Sequence, residues 1–287
     1  MPGTSYYYLV SSLPELVFQQ AKLPFNIKDF KENLKSEVTP NDYGLVELLF
    51  LPYDNKNLIN LLDKNDKPFD DRGIFSKEVL EYELNTKEPG PSQEFPNTPL
   101  EYIHSFIVHY YNEMPLNPNL SVEDQLTEYF YQFILLKVEN EFVHRWFDFE
   151  KNLKNFITGQ NAKRHEFYPE EKIIGNDDVA HTIKTSKSKD FGLSQDLDYL
   201  IPVLNAYDNQ NLLEREKQID LVRWNYLNGL TTFHYFTIEK VLAYIIKLNI
   251  IERWINLDAE KGKKAFESIV NELQNSYEFP KEFIING

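Results

Sequence analysis

No cysteine occurs anywhere in the chain, which excludes disulfide bridges and thiolate chemistry and is compatible with a reducing compartment. Glycine is scarce, at 10 of 287 residues, and no GxGxxG, GxxxxGK[ST] or GxSxG pattern occurs. A phosphate cradle or a nucleophile elbow therefore has little to be built from, and no cofactor is expected. Basic residues are outnumbered, with 30 Lys and Arg against 45 Asp and Glu, for a formal net charge of −15. That deficit argues against a nucleic-acid or anionic-membrane surface and permits docking to a basic partner. Long uncharged apolar runs are missing as well. The richest stretch, residues 238–257, carries Glu239, Lys240, Lys247, Glu252 and Arg253, so it reads as a buried core helix and not as a membrane span. Met1 to Tyr6 shows no basic region leading into an apolar segment, so a cytoplasmic chain is expected.

Aromatic side chains are plentiful: 21 Phe, 18 Tyr and 3 Trp within a 42% hydrophobic composition. Rings of this number suit helix–helix seams, with the tyrosine hydroxyls and indole N–H groups reaching polar partners at the rim. Apolar residues recur at steps of three and four, whereas sustained period-two alternation is absent and no hairpin dipeptide lies between two alternating runs. The class is all-α. Helices are expected around 27–34, from Pro40 through Leu49, from Asp54 through Leu62, over 77–84 with Ser76 as N-cap, and over 100–111. Ser121 and Asp124 open a capping-box start. The pattern beyond them (Leu126, Tyr129, Phe130, Phe133, Leu136, Val143, Trp146, Phe149, Leu153, Phe156) skips once at Asn140 and meets a natural stop at Gly159. Unbroken, that helix would be about 57 Å long at 1.5 Å per residue, which calls for an elongated protein or a kink near Asp148. Residues 159–190 read as a charged loop or short helix. Helices over 197–204, 212–227, 238–257 and 258–273 complete the set, and the proline-rich 85–99 stretch is a linker.

One phrase is used twice. Tyr53-Asp54-Asn55-Lys56-Asn57-Leu58-Ile59 returns as Tyr207-Asp208-Asn209-Gln210-Asn211-Leu212-Leu213, with a looser echo in Phe147-Asp148-Phe149-Glu150-Lys151-Asn152-Leu153. Such repetition points to an elongated protein of three related helical-bundle modules, with boundaries at 1–95, 96–190 and 191–287. Asp and Asn at spacings of three or four share a helix face. Three uses are open for Asp54, Asn57, Asp148, Asn152, Asp208 and Asn211: N-capping, helix-to-helix packing, or catalysis by the carboxylates. Glu216 and Arg223, two turns apart on a charge-laced helix, belong either to a solvated face or to a docking surface or buried ion network. The histidines give no metal spacing, because His104 and His109 diverge on a helix and no HExxH occurs. The run Lys184 to Lys189 lacks the glycines of a phosphate loop.

The Asp-x-x-Asn-Leu theme and the Tyr6-Tyr7-Tyr8 run before a helix resemble the three-module, all-helical C/d-type subunit of A/V-type ATPases. The segment from Phe147 to Arg164 and Val241-Leu242-Ala243-Tyr244 carry the same likeness. Over most of its length the chain is similar to an uncharacterised bacterial family associated with V-type ATPase gene clusters. The phrases that carry this are Asp190-Phe191-Gly192-Leu193-Ser194-Gln195, Leu213-Glu214-Arg215-Glu216-Lys217 and His234-Tyr235-Phe236-Thr237-Ile238-Glu239-Lys240. The resemblance implies a non-catalytic structural subunit that links the central stalk to the membrane rotor ring. Its partners would be other ATPase subunits, on the inner face of the membrane. Two alternatives from other classes are an independent acidic helical scaffold or regulator, and a helical-bundle enzyme using His144 with Asp148.

Overall fold

The computed structural model describes residues 5–86, 98–165 and 172–257. Among them the chain forms twelve helices and no strand. The first six are α1 (Tyr7–Ser12), α2 (Ile27–Glu37), α3 (Pro40–Leu48), α4 (Leu51–Leu62), α5 (Lys77–Asn85) and α6 (Pro99–Tyr111). The remainder are α7 (Val122–Lys137), α8 (Glu141–His165), α9 (Asp178–Thr185), α10 (Leu200–Tyr207), α11 (Leu212–Leu230) and α12 (Ile238–Asn256). The expected helix over 258–273 and most of the 85–99 linker lie outside the described residues.

Helix starts follow short polar side chains. Asn26, Thr39, Ser76, Thr98, Ser121, Asp177 and Asn211 each accept a first-turn backbone N–H, satisfying donors that the helix itself cannot. Pro40 and Pro99 stand in the first turn, where a missing N–H costs nothing.

The long periodic segment is two helices. α7 ends at Lys137, and α8 begins after Asn140, whose Oδ1 accepts the Val143 N–H at 3.0 Å. The break therefore falls at the skipped position and not near Asp148, because an amide side chain there outcompetes continuation of the backbone ladder. Gly159 does not stop α8. A Cβ at this position would lie 2.6 Å from Ile183 Cγ2 and 2.8 Å from Phe191 Cζ, so the glycine lets α9 and the 191 loop close onto the helix. α8 consequently runs to His165.

Consecutive helices pack in pairs, α6 on α7, α7 on α8, α8 on α9, and α10 on α11. α12 is the central member, touching α11 and also α2 and α3 from the start of the chain. Val241, Leu242, Ala243, Ile245, Ile246, Leu248, Ile250 and Ile251 of α12 are buried, each aliphatic side chain larger than alanine contributing about 1.5–3 kcal/mol. One contiguous apolar cluster runs from Tyr6 to Ile251. Among the described residues, no helix is long and apolar enough to cross a membrane.

Candidate functional site

The polar groups inside this body form three clamps, two of which share a design. In the first, α4 begins at Leu51, so Asp54 lies within its first turn. Its carboxylate does not cap that turn. It reaches the 70–75 loop, where Ile74 N–H donates to Oδ2 at 2.9 Å and Phe75 N–H donates to Oδ1 at 3.1 Å. One turn on, Asn57 Nδ2 donates to the Asp70 carbonyl at 2.8 Å, and Oδ1 accepts the Asp70 N–H at 2.9 Å. Lys31 of α2 donates to the Arg72 and Gly73 carbonyls, both at 3.0 Å. Arg72 then donates to Asp70 at 2.6 Å and to Glu252 of α12 at 2.5 Å, with its guanidinium 4.2 Å from the Tyr53 ring centre.

Asp54, Asn57 and Lys31 are all buried. Burial raises the Asp54 carboxyl to about 6, opposed by the two backbone N–H donors and by Lys31. Burial lowers Lys31, opposed by Asp54. In this water-poor setting each group favours the charged form of the other. The hydrogen bond to Asp70 raises the already high pKa of Arg72.

The second clamp is on α8, and its main residue is Asn155. Its Nδ2 donates to the Ile174 carbonyl at 2.7 Å, and its Oδ1 accepts the Ile174 N–H at 2.9 Å. This is the two-pronged grip of Asn57 on Asp70. Each gripped loop then leads, through a glycine, to an N-capped short helix: Gly73 and α5 in one case, Gly175 and α9 in the other. The local match is therefore Lys56-Asn57-Leu58-Ile59 with Lys154-Asn155-Phe156-Ile157, which sets Asn152 opposite Asp54. Lys151, also buried, bridges Asp148 at 3.0 Å and Asp177 at 2.8 Å. Burial opposes the charge on Lys151, but the two carboxylates more than offset it and its pKa is raised. Asn152 Nδ2 donates to Asp148 at 3.1 Å. Its buried Oδ1 meets no donor in bonding geometry, although the Tyr199 hydroxyl is close by.

The third copy of the phrase is built differently. Asp208 sits at the C-terminal end of α10, exposed, and pairs with Lys189 at 2.7 Å. Asn211 caps α11, accepting the Glu214 N–H at 3.2 Å. Neither reaches another helix of the body through these bonds. The structure brings Asp54 with Asn57, and Asp148 with Asn152, but the 208–211 pair serves one turn.

The third clamp joins α8, α11 and α12. Arg223 donates to Glu150 at 2.7 Å and to Asp220 at 2.9 Å. Asp220, buried, also accepts from Trp254 Nε1 at 2.8 Å and pairs with Arg253. Burial disfavours the guanidinium of Arg223, yet Glu150 and Asp220 raise its pKa on balance. Glu216 does not meet Arg223. It faces Arg253 at 3.6 Å on the exposed rim of this network.

Residues 3–277 match the family described as a protein of unknown function, DUF2764. The chain belongs to this family. No match was found among curated proteins or among solved structures.

In this DUF2764 chain the histidines stand apart from one another. His104 contacts Glu83 at 2.8 Å, His109 contacts the Tyr129 hydroxyl at 2.5 Å, and His234 lies 3.4 Å from Glu239. Among the described residues, no group of His, Cys, Asp and Glu is arranged to hold a metal. His144 is half-buried on α8 one turn before Asp148, and the Asp148 carboxylate is taken up by Lys151 and Asn152. Sequence reasoning passed over Lys31, Arg72, Glu150 and Asn155. Lys31 carried a signal, since Ile27, Phe30, Lys31 and Leu34 occupy one helical face. A charge in an apolar stripe has to find partners in the interior.

Proposed function

We propose that the chain is a non-catalytic coupling subunit of a V/A-type rotary ATPase, a stiff helical piece between the central stalk and the membrane rotor ring. The likeness to the C/d-type subunit and to the ATPase-linked bacterial family points there, and the interior supplies the mechanical property such a part requires. The observation that carries the reading is the set of polar locks along α12. Asn140 bonds Glu239 at 3.2 Å, Lys247 bonds Asn228 at 2.7 Å, and Tyr53 bonds Asn249 at 3.2 Å. Arg72 takes Glu252, and Asp220 takes Arg253 and Trp254.

Apolar packing alone resists compression but is non-directional, so helices can slide within it. Hydrogen-bonded charge pairs fix register, because a displaced partner leaves a buried ion unpaired at a cost of several kcal/mol. α12 locked to α4, the 70–75 loop, the α7–α8 junction and α11 would pass a load from one end of the body to the other. No step of the proposed role needs a cofactor or a catalytic group.

The test is isolation of the complex from native membranes with an affinity tag on this chain. The reading predicts recovery of ATPase stalk and ring subunits in fixed stoichiometry and loss of ATP-driven ion transport when the gene is deleted. A chain recovered wholly without ATPase subunits, with transport unaffected by its deletion, would remove the proposal.

A further inference from the structure

Lysines that reach into this body meet carboxylates. Lys31 and Asp54 act on each other, Lys151 bridges Asp148 and Asp177, and Lys154 pairs with Asp124 at 2.8 Å. Lys247 of α12 departs from this pattern. Its ammonium donates to the Asn228 side-chain oxygen at 2.7 Å and sits 4.9 Å from the Trp224 ring centre, both on α11. Trp224 is buried and backed by Phe18, with ring centres 5.5 Å apart. The charged side chain that bears on Lys247 is another cation, Lys240, two turns earlier on α12. Among the described residues, no Asp or Glu pairs with it. Lys163 also lies over a ring, that of Phe191, but Asp190 acts on it.

An ammonium so placed loses hydration without gaining a counter-ion. The aliphatic stem lies along the α11–α12 seam while the head reaches the rim, where Asn228 is exposed and Lys247 itself partly so. Desolvation and a neighbouring cation are the two devices that keep a lysine amine neutral and nucleophilic. Both operate here, and burial, with Lys240 acting in the same direction, lowers the pKa of Lys247 to about 8. At pH 7.5 about a quarter of the molecules then carry the free amine, against about one in a thousand for an ordinary lysine. A weaker base is also a poorer nucleophile, so only part of that gain appears as rate.

We infer that Lys247 is an acceptor site for activated acyl groups, of the acyl-phosphate or thioester class. The free amine attacks the carbonyl carbon and a C–N bond forms. The bond from that carbon to the phosphate oxygen or thiol sulfur breaks, the leaving group takes the electron pair, and the amine's proton passes to water. The product is a neutral amide with one N–H left to donate to Asn228, so the position accepts the loss of charge. What disappears is the cation over Trp224, which loosens the hold of α12 on α11. The inference stands apart from the rotary reading, since it concerns one side chain and no assembly.

The test treats the full chain with limiting acetyl phosphate at pH 7.5, with acetyl-coenzyme A in a parallel arm, and follows acetylation at each lysine by peptide mass spectrometry. Lys247 should be labelled about fivefold faster, or more, than the exposed Lys22, Lys67 and Lys187, and the faster arm identifies the donor class. Asn228→Asp supplies the missing carboxylate and should slow labelling of Lys247 severalfold while leaving the three exposed lysines unchanged. Asn228 is exposed, so an unchanged thermal melt confirms that the variant is folded. Labelling of Lys247 no faster than the exposed lysines in both arms overturns the proposal. So does a rate at Lys247 that ignores Asn228→Asp in the folded variant.

Discussion

Replacing Asn155 with leucine separates the clamp from its surroundings more cleanly than any other change. The residue is fully buried on α8, and both ends of its amide are bonded to Ile174, at 2.7 and 2.9 Å. Leucine has nearly the same volume, so cavity formation and overpacking contribute little. It leaves the Ile174 N–H and C=O buried without partners, and each orphan costs about 1–3 kcal/mol. The expected loss is therefore about 2–6 kcal/mol, a large share of the about 5–15 kcal/mol available to a typical folded chain. Asn152, three residues earlier on the same helix, is the internal control. Its Oδ1 has no donor and its Nδ2 bonds the half-exposed Asp148. Asn152→Leu should cost under about 1 kcal/mol, or stabilise, because it removes an acceptor that is already unsatisfied. Urea unfolding of both variants, followed by far-UV circular dichroism, reads the difference. Equal destabilisation, or a larger loss for Asn152→Leu, would refute the reasoning that the two-pronged bond holds the loop.

Three further outcomes are expected. Asp54 has a folded pKa of about 6 against an ordinary value of 3.8, so the folded state holds the proton more tightly and this group's contribution is largest below the lower value and lost as pH rises through the upper one. The stability advantage of wild type over Asp54→Asn should shrink by about 2 kcal/mol between pH 4 and pH 7, at 1.36 kcal/mol per pH unit, because pH 4 already lies just above the lower value. Denaturant titrations at the two pH values test this, and an advantage that grows with pH would mean that the N–H donors of Ile74 and Phe75 outweigh burial. Arg223→Met strands Glu150 and takes one of three partners from Asp220, which keeps Arg253 and Trp254; it should cost about 3–5 kcal/mol, whereas adding Glu150→Gln should recover part of that loss in a double-mutant cycle. Strictly additive losses would contradict direct coupling. Gly159→Ala improves helix propensity by about 1 kcal/mol but sets a methyl 2.6 Å from Ile183, so a net loss of roughly 1–2 kcal/mol is expected from overpacking. A higher melting temperature would show that α9 yields freely.

The all-helical class was legible because steps of three and four run through α2, α7, α8 and α12, and because Ser76 and Ser121 stand where first turns need acceptors. The buried α12 was equally plain, its charges being confined to a few turns. Less accessible was where a polar pair points. Asp54 and Asn57 share a helix face in any reading, but their partners lie in a loop 13 to 21 residues away, and only tertiary structure decides that distance. The echo at Asp148 and Asn152 was aligned on the aspartate, whereas the grip itself aligns on Lys-Asn-x-Ile, which moves it to Asn155. Gly159 looked like a helix end because glycine commonly is one. Its actual role is the close approach of Ile183 and Phe191, a long-range contact with no local signature.

Rigidity around α12 is the claim on which the rest depends, and native-state hydrogen exchange measures it directly. The amides of Val241 to Ile251, together with the loop amides of Ile74, Phe75 and Ile174, should exchange only through global unfolding, with one shared free energy that tracks denaturant. Should the loop amides open locally at near-zero cost while α12 stays protected, the clamps would not be holding the body as a unit, and a load-bearing role would lose its physical basis.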